Sequence, residues 1–148
     1  MMGSLQSERK LTLICRLHYC MGLAALAAFL ATGLYMFVSF DHLHDLDAPK
    51  RLLFRSSHVY LLFTALLNLV VAGRSAPRPS GWRAWLSRMG SALLLTAPVL
   101  CFLAFCCEPW LTDLARPYAL SAVISSLGGV IAHVTSCVTG RPCSGETS

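Results

Sequence analysis

Four long stretches of this chain lack aspartate, glutamate, lysine and arginine, and they constrain its fold more than any other feature. They cover residues 17–40, 56–73, 89–107 and 117–140. The hydrocarbon core of a bilayer is about 30 Å thick, a depth that a helix of about 20 apolar residues crosses. Because every backbone N–H and C=O in hydrocarbon must find a partner, each stretch is predicted to be a helix. The sequence therefore predicts an all-α integral membrane protein, a four-helix antiparallel bundle.

Composition supports a chain that lives in the lipid bilayer. Apolar residues make up 55% of it and charged residues 13%, whereas soluble domains carry about a quarter charged residues. The net charge is +5, but the basic residues flank the apolar stretches and do not alternate with stacking aromatics. Nucleic-acid binding is therefore not expected.

The stretches divide the chain into an N-terminal segment (1–16), a transmembrane domain (17–140) and a C-terminal tail (141–148). The first stretch follows Arg9, Lys10 and Arg16, as the apolar part of a signal peptide would, but it is longer than the roughly 7–15 residues usual there. We interpret it as an uncleaved span. Its alanines resemble a cleavage site, so processing stays open as an alternative.

Basic residues in the loops predict the orientation, because cytoplasmic loops carry more lysine and arginine. With the N-terminus inside, the inner segments carry eight such residues: Arg9, Lys10, Arg16, Arg74, Arg78, Arg83, Arg88 and Arg141. The outer loops carry four: Lys50, Arg51, Arg55 and Arg116. Both termini are therefore predicted to be cytoplasmic.

Small residues recur at helical spacing in the first and last spans. Lipid tails are as apolar as leucine, so helices associate in membranes where small residues allow close approach. Ala24 and Ala28 mark such a face in the first span, and Ser121, Ser125 and Gly129 mark one in the fourth. These faces predict contact between spans one and four. They would serve a homo-oligomer or a membrane-protein partner equally well.

Two histidines are predicted to lie near the inner membrane surface, His18 in the first span and His133 in the fourth. Antiparallel helices would bring them to a similar depth, where they could ligate the iron of haem b from both sides. Gly22, Gly128 and Gly129 could provide room. The alternative is that His18 is interfacial and His133 hydrogen-bonds across a helix contact.

A second histidine cluster is predicted on the outer side. His42, His44 and Asp45 form a dense run before the second span, and His58 would lie at a similar level. Imidazole and carboxylate groups together bind divalent transition metals. The alternative is a solvated loop with a charged helix entry.

Further polar side chains are predicted to form a structural network. Tyr60, Thr64 and Asn68 follow one face of the second span, and a mid-membrane asparagine normally points into the bundle. Outer-edge groups would join in salt bridges and hydrogen bonds that pin the loops, with Arg55, Glu108 and Arg116 as the charged members. Pro98 should kink the third span.

The chain resembles small uncharacterised bacterial inner-membrane proteins with four spans and no assigned activity. The resemblance covers residues 50–138 and rests on Arg55-Ser-Ser-His-Val-Tyr-Leu-Leu, Ala97-Pro-Val-Leu, Cys107-Glu-Pro and Arg116-Pro-Tyr. It implies a bacterial inner membrane and transfers no catalytic residue.

Three functional hypotheses follow. The first is an accessory, assembly or scaffold component that acts through helix association, without a cofactor. The second is a haem- or metal-binding redox protein that uses His18 with His133, or the outer cluster. The third is a carrier of small neutral or lipid-like molecules, motivated by Pro98 and Asn68. No nucleophile elbow, phosphate loop or zinc-protease motif occurs, so no catalytic residue is predicted.

Overall fold

A computed structural model of the chain describes residues 2–40, 44, 46–74, 81–111 and 116–138. It contains α1 (Met2–Phe40), α2 (Ala48–Ala72), α3 (Trp82–Cys107) with a 3-10 turn at Glu108–Trp110, and α4 (Pro117–Val138). Each α-helix is long and apolar enough to cross a membrane. Within these described ranges there is no strand. The predicted all-α fold with four spans is confirmed, and the protein is a multi-pass membrane protein.

The helices extend beyond the charge-free stretches. α2 begins at Ala48, eight residues before the predicted span, and α3 begins at Trp82, seven residues before it. Charged side chains at these helix ends can extend along their flexible stems to the lipid headgroups. The first charged residue therefore indicates where the hydrocarbon region ends, and the helix itself can continue beyond it. Pro49 lies in the first turn of α2, where a missing N–H costs nothing.

Packing follows chain order. α1 packs along α2, α4 packs along α3, and α2 joins the two pairs by packing against α3. The core where all four helices meet is made of small and medium side chains: Ala25, Leu61, Ala65, Cys101 and Ala122. A second cluster contains Met36, Phe54 and Phe105, with the rings of Phe54 and Phe105 5.0 Å apart. It lies at the end of the bundle that carries the α1–α2 and α3–α4 connections; we call this end outer and the opposite end inner, as labels taken from the expected orientation.

In the described part of the chain α1 and α4 do not pack along their length, although His18 of α1 and His133 of α4 approach each other. Gly129 instead faces α3: a Cβ atom there would lie 3.0 Å from the carbonyl oxygen of Gly90. Two glycines facing each other let the α3 and α4 backbones approach closely. The inward face of α1 is taken by α2, where Gly22 meets Leu69.

Candidate functional site

His18 is fully buried near the N-terminal end of the apolar part of α1, and one of its ring nitrogens has no partner. Its Nδ1 lies 2.7 Å from Oδ1 of Asn68. A carbonyl oxygen only accepts, so Nδ1 donates and Nε2 carries a lone pair. Nε2 is buried without a hydrogen-bond partner. Such an unpaired group costs about 1–3 kcal/mol and is rare enough in proteins to need an explanation.

Asn68 accepts a hydrogen bond from His18 and also donates one to a carbonyl oxygen of α3 that has no partner within its own helix. Its Nδ2 donates to the carbonyl oxygens of Thr64 and Leu94, at 2.9 Å each. Leu94 is four residues before Pro98, which has no N–H to complete the helical hydrogen bond. The asparagine of α2 therefore satisfies the carbonyl that the proline of α3 leaves open. α3 continues through Pro98 as one helix.

His133 of α4 completes the group. Its Nε2 lies 3.2 Å from Oγ of Ser91 on α3, and the rings of His18 and His133 lie 6.3 Å apart at an interplanar angle of 74°. We call His18, Asn68, Ser91 and His133 the inner polar centre. Each of the four helices contributes one of its residues, so it ties the whole bundle together.

The glycines near the inner polar centre serve helix packing. A Cβ atom on Gly22 would lie 2.7 Å from Leu69, and one on Gly129 would lie 2.6 Å from Leu94. Leu93 lies beside Gly128 at 3.5 Å. Leucine side chains therefore pack against all three glycines that the sequence suggested as room for haem.

A second polar group lies at the outer end and is built around the fully buried Glu108. Its Oε1 accepts from the backbone N–H of Ala119 at 2.7 Å, and its Oε2 lies 3.4 Å from Nε of Arg116. Ala119 is the third residue of α4, so the carboxylate caps the positive N-terminal end of that helix. Nη2 of Arg116 also donates to Ser56 of α2 at 2.7 Å. The group joins α2, α3 and α4.

The remaining residues of the predicted network have separate roles. Arg55 is exposed, and its neighbour Ser56 takes the place in the outer group that the sequence suggested for Arg55. Thr64 donates to the carbonyl oxygen of Leu61 within its own helix, and Tyr60 packs against the core. The four-residue spacing of Tyr60, Thr64 and Asn68 predicted that they share one face of α2. Spacing alone does not identify their hydrogen-bond partners.

The predicted outer metal site is only partly within the described residues. His42 and Asp45 lie outside them, while His44 is exposed. His58 lies between α1 and α2: its Nδ1 is 2.9 Å from Oγ1 of Thr32, and its ring stacks on Phe29 at 4.1 Å. In the part of the chain that the structure describes, no three potential metal ligands are gathered.

The small residues of α1 point in two directions. Ala28 packs against the core, whereas Ala24 is exposed. Cys20, Ala27 and Ala31 are exposed as well, and with Ala24 they follow positions i, i+4, i+7 and i+11. We call these four residues the small-residue stripe. Of these four only Ala24 was predicted, although the helical spacing of the other three was a usable signal. On α4, Ser121 is exposed and Ser125 half-buried.

A cavity of about 350 Å³ opens at the outer end of the bundle. Its lining comes from α1, α2, α3 and the 3-10 turn, and it is mainly aromatic: Ala31, Thr32, Tyr35, Phe54, Phe102, Phe105, Cys106 and Trp110. The volume and the largely apolar wall are typical of small-molecule sites.

No protein-family model, no curated protein and no solved structure matches this chain.

Proposed function

We propose that this multi-pass membrane protein is an accessory component that binds a transmembrane helix of another membrane protein through α1. The observation that carries the proposal is the small-residue stripe on the exposed face of that helix. Only 11% of the apolar window of α1 is buried, compared with 44% for α3. α1 thus has the smallest buried share of the four spans.

The stripe has the form of a membrane helix interface. Small side chains every three to four residues let a second helix approach until backbones are in van der Waals contact. The protein uses this device internally, where Gly90 faces Gly129 between α3 and α4. Large exposed residues such as Leu23 and Leu30 flank the stripe and would form the sides of the groove.

A photocrosslinking amino acid at Ala27 tests this proposal in native membranes. The matched control is the same amino acid at Ile124, an exposed residue of α4 that lies among the large exposed side chains of Leu120, Leu127 and Ile131. We expect a discrete adduct with a second membrane protein from position 27 and none from position 124. Adducts with lipid alone, or with a second copy of this chain alone, would contradict the proposed role.

The cellular setting belongs to the same proposal. The excess of inner basic residues supports a membrane in which both termini face the cytoplasm. The resemblance of residues 50–138 to bacterial inner-membrane proteins supports that membrane in particular.

The outer cavity favours a second candidate function, the binding or carriage of a lipid-like molecule. Its lining is mainly apolar, with polar groups from Thr32, Tyr35 and Trp110. Native mass spectrometry of the protein from membranes should then detect a retained lipid-like mass that a cavity-filling Cys106→Trp removes. Leu103→Trp, on the exposed side of the same helix, is the control and should retain the mass.

A further inference from the structure

The buried, unpaired Nε2 of His18 has the surroundings of a metal ligand. Histidines that bind metals almost always donate their other ring N–H to an oxygen, which fixes the tautomer and turns the free nitrogen toward the ion. Nδ1 of His18 donates to Asn68 in this way. Asn68 is itself held by two backbone carbonyls on two helices. The ring of His18 is therefore fixed, with a lone pair that no protein group uses.

His133 has a similar arrangement. Its Nε2 lies within hydrogen-bond distance of Oγ of Ser91. In the tautomer in which Nε2 donates to that oxygen, Nδ1 carries the lone pair that can take an ion. A metal–imidazole bond is about 2.0 Å long and the ring centre lies about 1.1 Å beyond the nitrogen, so two rings that share an ion have centres about 6.2 Å apart. The rings of His18 and His133 lie 6.3 Å apart. Their angle of 74° is compatible, since each ring can turn about its bond to the ion.

The number and charge of the ligands select the ion. Zinc sites use four ligands, or three with water, whereas no third protein ligand joins this pair among the described residues. Two neutral imidazoles whose ring centres have this separation suit a singly charged copper ion, and imidazole is a common copper ligand.

We propose that His18 and His133 bind one Cu(I) ion as a two-coordinate site inside the bundle. Nε2 of His18 and Nδ1 of His133 donate their lone pairs to the ion. Asn68 and Ser91 orient the two rings. The step is binding alone: the ion arrives and leaves as Cu(I), and no electron is transferred.

X-ray absorption of the full chain in lipid nanodiscs tests the site. Half an equivalent of Cu(I) is added without oxygen, so that the tightest site fills first. We expect two nitrogen neighbours and an edge typical of two-coordinate Cu(I). The chain has seven cysteines, and sulfur neighbours would assign the copper to them and overturn the proposal. This measurement needs no variant.

Competition with a coloured Cu(I) chelator then assigns the residues. His18→Gln and His133→Gln should each weaken binding at least tenfold. His58→Gln is the matched control, a membrane-embedded histidine that already bonds Thr32, and it should bind as the wild type does. Equal affinity in the wild type and in a folded His18→Gln protein would overturn the site. A haem absorption band that forms when haemin is added to the wild type and is lost in His18→Gln would also overturn the site, because it would assign His18 and His133 to haem.

Discussion

Asn68 shows how much one polar side chain can do inside a membrane. It accepts from His18 of α1, donates to Leu94 of α3 and bonds its own helix at Thr64. The sequence predicted that this residue points into the bundle. It could not assign His18 or Leu94 as partners, because that depends on how far each helix is rotated about its axis. The Leu94 carbonyl could have been identified from Pro98, because a proline leaves the carbonyl oxygen four residues earlier without a backbone donor.

Asn68→Leu should destabilise the protein by about 1–3 kcal/mol, because it leaves the Leu94 carbonyl and the His18 N–H without partners. In a Pro98→Ala background the loss should be smaller, since the alanine N–H can bond the Leu94 carbonyl. Unfolding by SDS in mixed micelles measures both. Thr96→Ala, whose hydroxyl bonds only its own helix at Leu93, should cost less than about 0.5 kcal/mol. Strict additivity of the Asn68 and Pro98 changes would contradict the assigned pairing.

Glu108→Ala should also destabilise the protein by about 1–3 kcal/mol, because it removes the acceptor for Ala119 and the partner of Arg116. Glu108→Gln keeps an acceptor oxygen and should cost less, since Arg116 is 29% exposed and its ion pair is weakened by solvent. Thermal unfolding followed by circular dichroism compares the two variants. A glutamine variant as unstable as the alanine variant would mean that charge, not the helix cap, is the larger contribution.

The helices were the most predictable part of this structure, because a backbone that spans hydrocarbon must form its hydrogen bonds within the segment. Four charge-free stretches became four helices. Their ends were less predictable, since α2 and α3 continue into residues whose charges reach water. Small residues at helical spacing indicated close packing but not its partner: Gly129 was predicted to face α1, and it faces Gly90 of α3.

Neighbouring glycines of α4 give a matched test of that contact. Gly129→Ala places a Cβ 2.6 Å from Leu94 and 3.0 Å from the Gly90 backbone, so α3 and α4 must separate, at about 1–3 kcal/mol. Gly128→Ala meets only Leu93 at 3.5 Å, an ordinary contact. It should be neutral or stabilising by up to about 1 kcal/mol, because alanine favours the helix. SDS unfolding should separate the two, and equal stabilities would contradict the close approach.

At the scale of the whole molecule, the order of the helices around the bundle was the hardest feature to predict. A closed ring of four helices would pair α1 with α4. In the described structure α1 and α2 form one pair, α3 and α4 form another, and α2 joins them. His18 and His133 bring α1 and α4 together only near the inner end. Charge counts cannot distinguish the two arrangements, because both give the same loops and the same sidedness.

Orientation can be tested directly with reporters fused to either end of the chain. A green fluorescent protein at the N-terminus and one at the C-terminus should both fluoresce, as they do in the bacterial cytoplasm. Alkaline phosphatase inserted after the exposed His44, before α2, should be active because this position is predicted to lie outside. Active phosphatase at either end of the chain would reverse the assignment from the basic residues.

The bond between Asn68 and Leu94 has a consequence for how the chain is made. α2 leaves the ribosome before α3, so the amide of Asn68 is already in the membrane when the unpaired carbonyl before Pro98 arrives. A helix with such a gap is costly to release alone into lipid, and the earlier helix supplies the missing donor as the later one enters. Synthesis in chain order thus places the amide of Asn68 in the membrane before the unpaired carbonyl of Leu94 enters it. In a rearranged gene that encoded α3 before α2, that carbonyl would enter the membrane before its donor.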